Sequence, residues 1–249
     1  MRTSQLKNRV KVTDFQSEVL NQKRLDYFQN YFKNYYYGEF RFGQGTENIL
    51  MILDELGLGG DWLDLGAGPS TLLWSIPLND VKSITCNDIS VEALKVLNDF
   101  VQSDEVPPCY QEALRLCNKT DQHVLEMKKK VQNYLIFDAM SDWPAILDNC
   151  KYDLITEFGT FGLAQTPEKF INCFGFLKKY LKPGGRVIGA NWTRSAHLID
   201  KEGLDNSYLN LKLIDYVAHR YSYEVLHLEK VNITNDLYYD SVIVFALSH

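Results

Sequence analysis

Asp61–Trp74 reads D-W-L-D-L-G-A-G-P-S-T-L-L-W, and this stretch decides the fold. Trp62, Leu63 and Leu65 form a tight apolar run, as in a strand buried within a parallel sheet. Gly66 and Gly68 follow at once, and Pro69 cannot continue a strand. Ser70 or Thr71 can cap a helix beginning near Leu72. The order is therefore strand, glycine turn, helix. Glycines in such a turn let a ligand approach the backbone where a side chain would block it. The same order also describes an ordinary strand-to-helix connection.

The next unit adds weight to a ligand. Lys82–Asn87 (K-S-I-T-C-N) reads as a second strand, and Asp88 stands at its tip. An acidic residue about twenty positions beyond the glycines can accept both ribose hydroxyls of a nucleoside. Asp88 can equally cap the helix from Ser90, and one residue can do both. A dinucleotide turn would prefer a third glycine where Thr71 stands, and the lack of a lysine after the glycines excludes a P-loop.

Strands and helices alternate further along. Tyr134–Phe137 ends at Asp138, and Tyr152–Thr156 ends at Glu157. Pro167 opens a helix over Glu168–Leu181, and K-P-G-G turns into Arg186–Ala190. This spacing predicts a doubly wound, mostly parallel, seven-stranded α/β sheet. Glu224–Val231 and Ser241–Leu247 read as an antiparallel terminal pair. Residues 14–37 read helical and crowd their end with tyrosines, so 14–45 is expected either to pack on the sheet or to form a lid. Residues 102–131 exceed a simple crossover and are expected as an inserted flap. The whole of 1–249 reads as a single domain.

Composition narrows the classes. Apolar residues make up 45% and charged residues 23%, ordinary for a globular chain with one sizeable core. A net charge of −6 speaks against a nucleic-acid partner, which wants a basic face. Five cysteines without C-x-x-C spacing suggest free thiols and no metal site. The N-terminus lacks an apolar leader and no run is long enough to span a membrane, so a cytoplasmic protein is expected.

D-L-G-A-G-P-S-T resembles the first motif of class I S-adenosylmethionine-dependent methyltransferases. More specifically, Y-F-K-N-Y-Y (Tyr31–Tyr36), the glycine motif, N-D-I-S (Asn87–Ser90), the long insert, I-F-D-A (Ile136–Ala139) and K-P-G-G follow one another in a familiar order. That order is similar to the nicotinamide, phenylethanolamine and indolethylamine N-methyltransferase family. The resemblance implies S-adenosylmethionine as cofactor and S-adenosylhomocysteine as product. It implies that Tyr31 and Tyr36 close over the methionine end, which Gly66, Ala67, Gly68 and Ser70 wrap with Thr71 beside them. Asp88 and Ile89 would hold ribose and adenine, and Asp138 with Ala139 the adenine edge.

Where that family tends to carry a carboxylate after the fifth strand, this chain reads G-A-N-W-T-R-S-A-H (Gly189–His197). A carboxylate stands instead at Glu157, the candidate group to meet an acceptor amine. Asn191, Trp192, His197 and Tyr208 are candidate pocket members. The resulting expectation is methyl transfer to a small-molecule amine. The alternatives are transfer to oxygen, carboxylate or a protein side chain, or cofactor binding without catalysis.

Overall fold

The strand β2 (Gly60–Leu65) lies at the centre of the sheet, and its apolar run explains why. Trp62, Leu63 and Leu65 are fully buried, and Trp62 and Leu63 face opposite layers. A strand covered on both sides needs such a run. In a computed structural model describing residues 11–249, β2 pairs in parallel with β3 (Val81–Asp88) and β5 (Tyr152–Phe158). The segment bearing the expected absence of a leader lies outside the described residues, Lys11 excepted.

β4 (Val131–Ile136) extends the parallel run beyond β3, and β6 (Leu181–Arg194) extends it beyond β5. β8 (Tyr239–Ser248) lies antiparallel between β6 and β7 (Glu224–Asn232), with Ile188 opposite Ala246 and Leu228 opposite Phe245. The expected terminal pair is therefore present. An eighth strand, β1 (Lys11–Val12), adds two residues antiparallel to β4. The order is β1-β4-β3-β2-β5-β6-β8-β7. From β2 the chain winds first towards β4 and then restarts at β5 on the other side. Open α/β sheets place ligands at such a reversal, outside the carboxyl ends of the strands.

Helices cover both faces. On one side α2 (Thr46–Leu56), α3 (Thr71–Trp74) and α4 (Val91–Gln102) bury Ile49, Leu53, Leu72, Leu94 and Leu97 against Trp62. On the other, α7 (Pro167–Tyr180) and α9 (Leu211–Tyr221) bury Phe170, Phe174, Leu177 and Val217 against Leu63 and Ile155. α8 (Ala196–Glu202) follows β6 directly. The 102–131 insert is not a flap. It folds into α5 (Pro108–Leu116) and α6 (Asp121–Lys130), whose Tyr110, Ala113 and Val124 are wholly buried in the first layer. No helix among the described residues is long and apolar enough to cross a membrane.

The expected helix over 14–37 is interrupted. Asp14 caps a short 3-10 turn, Phe15–Ser17, by accepting from the Gln16 amide at 2.8 Å. Asn21 then caps α1 (Gln22–Phe32) by accepting from the Arg24 amide. Two side-chain caps seven residues apart start two elements rather than one. No residue of α1 is fully buried. The helix is tied at its start by the Asn21 amide donating to Glu92 at 2.9 Å, and at its end by Phe32 against Phe100.

Candidate active site

A cavity of about 600 Å³ opens at the carboxyl ends of β2 and β5. Its floor is the β2–α3 turn. Gly66 has φ +60°, and a Cβ built there would lie 1.7 Å from Thr160 Oγ1. Gly68 has φ +50° with nothing closer than 3.9 Å, so the backbone there stands open to the cavity. Beneath the turn, Asp64 accepts from the Thr71 and Thr156 hydroxyls, each at 2.6 Å. Thr156 Oγ1 in turn accepts from Trp62 Nε1 at 2.8 Å. Burial pushes the Asp64 carboxyl up to about 6 against the pull of these donors. Thr71 is thus a strut under the turn and does not line the cavity. Ala67 is likewise buried and braces the turn, its amide donating to the Asn87 carbonyl and its own carbonyl accepting from Ser70 Oγ.

Asp88 ties the glycine turn to the start of α4. Oδ2 accepts from the Gly68 amide at 3.0 Å, and Oδ1 accepts from the Ser90 amide at 2.7 Å at the start of α4. It retains 9% exposure, facing the cavity, and burial raises its pKa. The neighbouring Asn87 donates to the Leu135 and Phe137 carbonyls, while its buried Oδ1 has no partner among the described residues. Ile89 stands 63% exposed at the lip. Asp138 and Ala139 line the same wall, with Asp138 Oδ1 accepting from the Met140 amide.

Tyr31 and Tyr36 form the opposite wall. Their spacing of five predicts that at least one leaves the helix, but both remain in it. α1 runs into a π-helical turn, Lys33–Tyr37, whose i to i+5 repeat makes residues five apart neighbours. The two hydroxyls lie 3.4 Å apart and the rings 5.6 Å apart. Phe32 and Tyr37 pair by the same spacing. The Tyr31 pKa is raised first by the charge its neighbour Tyr36 would carry, and that of Tyr36 by burial. Both phenols stay protonated in neutral solution.

Glu157 lies elsewhere. It is completely buried and does not line the cavity. Oε2 accepts from the Phe161 amide at 3.1 Å and Oε1 from Asn191 Nδ2 at 2.5 Å, while Asn191 Oδ1 accepts from the Gly162 amide. The physical reason is the pleat. Side chains alternate along a strand, so Glu157 and Asn191 point with Ile155 and Val187 into the α7 layer, whereas Phe158 and Trp192 turn to the cavity. Burial pushes the Glu157 carboxyl up to about 8. The geometry therefore corrects the expectation that Glu157 and Asn191 meet the acceptor. His197 is exposed on α8 outside the cavity, and Tyr208 packs on Phe170 with its hydroxyl donating to the Ala164 carbonyl. Of the four pocket candidates only Trp192 lines the cavity, held by its indole N–H donating to the Gln44 carbonyl at 3.0 Å.

A family model described as a methyltransferase domain matches residues 37–237. The chain belongs to this methyltransferase domain family. It is an S-adenosylmethionine-dependent methyltransferase. No curated protein matches it in sequence. Among solved structures, the N-methyltransferase NodS from Bradyrhizobium japonicum WM9, in complex with S-adenosylhomocysteine, is similar. It is 12% identical with a TM-score of 0.54, over 82% of this chain and 85% of that one. The methyltransferase domain of bacterial CtHen1-C gives 14% and 0.55, over 83% and 97%. At these identities the likeness is one of fold.

The methyltransferase has residues that suit its cofactor. The open backbone over Gly68, the Asp88 carboxylate and the unpartnered Asn87 oxygen converge on a space of suitable size. The cavity also draws in residues that sequence reasoning missed, among them Phe158, Thr160, Arg194 and Tyr239. Strand alternation could have found Arg194, two positions beyond Trp192 on β6. Tyr239 could not be found that way, because it arrives through the antiparallel register that sets it opposite Arg194.

Proposed function

We propose that the enzyme methylates the nitrogen of a small-molecule amine held in the aromatic part of the cavity. The observation that carries this is the lining itself. Tyr31, Tyr36, Phe158 and Trp192 present rings, and no histidine or lysine lines the cavity among the described residues. Its carboxylates are already engaged, Asp88, Asp138 and Asp236 with backbone amides and Glu202 with Arg194. An oxygen acceptor must usually give up its proton to a base as it reacts. A neutral amine brings its own lone pair and needs orientation and exclusion of water instead. Aromatic faces supply both, and they attract a cationic group through the ring quadrupole. The resemblance to the nicotinamide, phenylethanolamine and indolethylamine N-methyltransferases supports the same reading.

In this reading Gly66, Gly68 and Ser70 border the methionine end of the cofactor. Asp88 accepts from the ribose hydroxyls, and Ile89, Asp138 and Ala139 flank the adenine. Bound S-adenosylmethionine supplies an electrophilic methyl group on a sulfonium. Tyr31 and Tyr36, on the helix over the cavity, close it as a lid and shield the amine from water. Thr71 and Ala67 act by holding the glycine turn in shape. Glu157 and Asn191 act by holding the 157–162 loop, not by touching the acceptor.

Product analysis tests the proposal. The enzyme is incubated with the methyl donor and matched panels of amines, phenols, carboxylic acids and peptides, and products are identified by mass spectrometry. N-methylated small amines are expected. Methylation of phenols, acids or peptides with no amine product would overturn it.

A further inference from the structure

We propose that Arg194 holds a carboxylate of the acceptor, which makes the substrate class amines that also carry a carboxylate. This rests on the amine reading above and names what else the amine must bear.

Arg194 ends β6 and lines the cavity at 9% exposure. The other two arginines of the lining, Arg24 and Arg41, are exposed at its edge. Arg24 approaches Glu92 at 3.7 Å, and Arg41 donates to the Asn34 carbonyl and lies over the Tyr35 ring. Arg194 is the buried one, and its guanidinium is half used. Nη1 donates to Glu202 Oε2 at 2.6 Å. Nε and Nη2 make no hydrogen bond among the described residues. Those two nitrogens form one edge of the guanidinium, the fork that matches the two oxygens of a carboxylate. Arg194 lines the cavity, so this edge is placed to take an anion bound there.

The fork is also fixed in place. The Arg194 amide donates to Asn206 Oδ1 at 2.9 Å. Asn206 is itself buried, and its Nδ2 donates to the Gly162 and Trp192 carbonyls. A rigid backbone under a half-paired arginine is what a specificity residue needs. The anion belongs to the acceptor and not to the cofactor because of sheet position. β6 is separated from β2 and its glycine turn by β5, a distance of about 10 Å between strand axes. A singly charged, planar group fits better than a phosphate. Glu202 already balances part of the positive charge, and Asp236 lines the same cavity.

The test uses the full-length enzyme saturated with S-adenosylhomocysteine, titrated calorimetrically with benzoate and phenylacetate and with the matched amides benzamide and phenylacetamide. The carboxylates are expected to bind at least about tenfold more tightly than the amides. Arg194→Gln should weaken the carboxylates by roughly tenfold to a hundredfold, the scale of charge-assisted hydrogen bonds, and leave the amides unchanged. Arg194→Lys, which keeps the charge but not the fork, should fall between. Glu202→Gln should strengthen carboxylate binding by freeing the guanidinium, and this variant carries the test should Arg194→Gln fail to fold. Amides binding as well as carboxylates, or no gain in Glu202→Gln, would overturn the proposal. Arg194→Gln weakening S-adenosylhomocysteine with carboxylate binding intact would overturn it too, by returning the arginine to the cofactor. Carboxylate binding in an enzyme that methylates no amine would instead refute the amine reading and leave the anion site standing.

Discussion

Replacing Gly66 with alanine tests how the glycine turn is joined to the loop after β5. The new methyl group would stand 1.7 Å from Thr160 Oγ1, 2.8 Å from its Cβ and 3.0 Å from its Cγ2. It would also have to adopt φ +60°. The left-handed conformation costs about 1–2 kcal/mol for a residue with a Cβ, and forced packing about 1–3 kcal/mol more. Gly66→Ala should therefore lose roughly 2–5 kcal/mol of stability in urea unfolding. Removing the Thr160 hydroxyl and methyl moves the closest contact out from 1.7 to 2.8 Å. Thr160→Ala alone gives up the hydrogen bond from Oγ1 to the Leu65 carbonyl, worth about 1 kcal/mol. The double variant should then be more stable than the sum of the single effects by about 1 kcal/mol or more, the backbone part of the cost remaining. Titration with S-adenosylhomocysteine should follow the same order, since displacing the turn pulls the Gly68 amide away from Asp88. Strictly additive single effects would refute the collision and leave the backbone conformation as the whole cause.

Asp88→Ala should weaken S-adenosylhomocysteine binding by roughly 1.5–3 kcal/mol in calorimetry, and an unchanged affinity would remove Asp88 from the cofactor site. Tyr36→Ala should lower cofactor affinity or turnover more than it lowers the melting temperature, because the ring is only partly buried; a large stability loss with intact binding would make it a core residue. Glu157→Gln removes the titrating proton and leaves a neutral isostere of the protonated carboxyl beside the Phe161 amide and Asn191. The wild type holds the proton more tightly folded than unfolded, so its own stability falls as pH rises from about 4.5 towards 8. Raising the pH from 6 to 9 should accordingly lower the wild-type melting temperature relative to that of Glu157→Gln, and a shift the other way would reverse the assigned direction.

Strand order and the glycine turn were legible because buried parallel strands and positive-φ positions leave direct marks: the run through Leu65, and glycines at 66 and 68. Asp88 was legible because strand tips in this topology have few possible roles. Glu157 was misread for a definite reason. Its position at the end of β5 was placed correctly, but a strand end offers two faces, and the pleat turned Phe158 to the cavity and Glu157 away from it. The same parity separates Trp192 from Asn191 on β6. Side chains delivered by tertiary register, such as Tyr239 opposite Arg194, leave no local pattern. The length of the insert over 102–131 suggests a flap, whereas its apolar positions Tyr110, Ala113 and Val124 bury it as a layer.

The turn of helix between Tyr31 and Tyr36 behaves as a gauge of chain length. A π-helical turn holds one residue more than the α-helical turn it replaces, and each α-helical residue rotates the chain by about 100°. Deleting a single position among Phe32, Lys33, Asn34 and Tyr35 would restore the commoner helix and leave the two rings four apart, still neighbours on one face, whereas inserting one would set them six apart, about 240° round the helix. Lys33 and Asn34 are exposed, so the identity of their side chains matters little there. The segment thus accepts spelling changes and a word shorter by one but rejects a longer one, unlike an ordinary surface loop, where insertions are cheap.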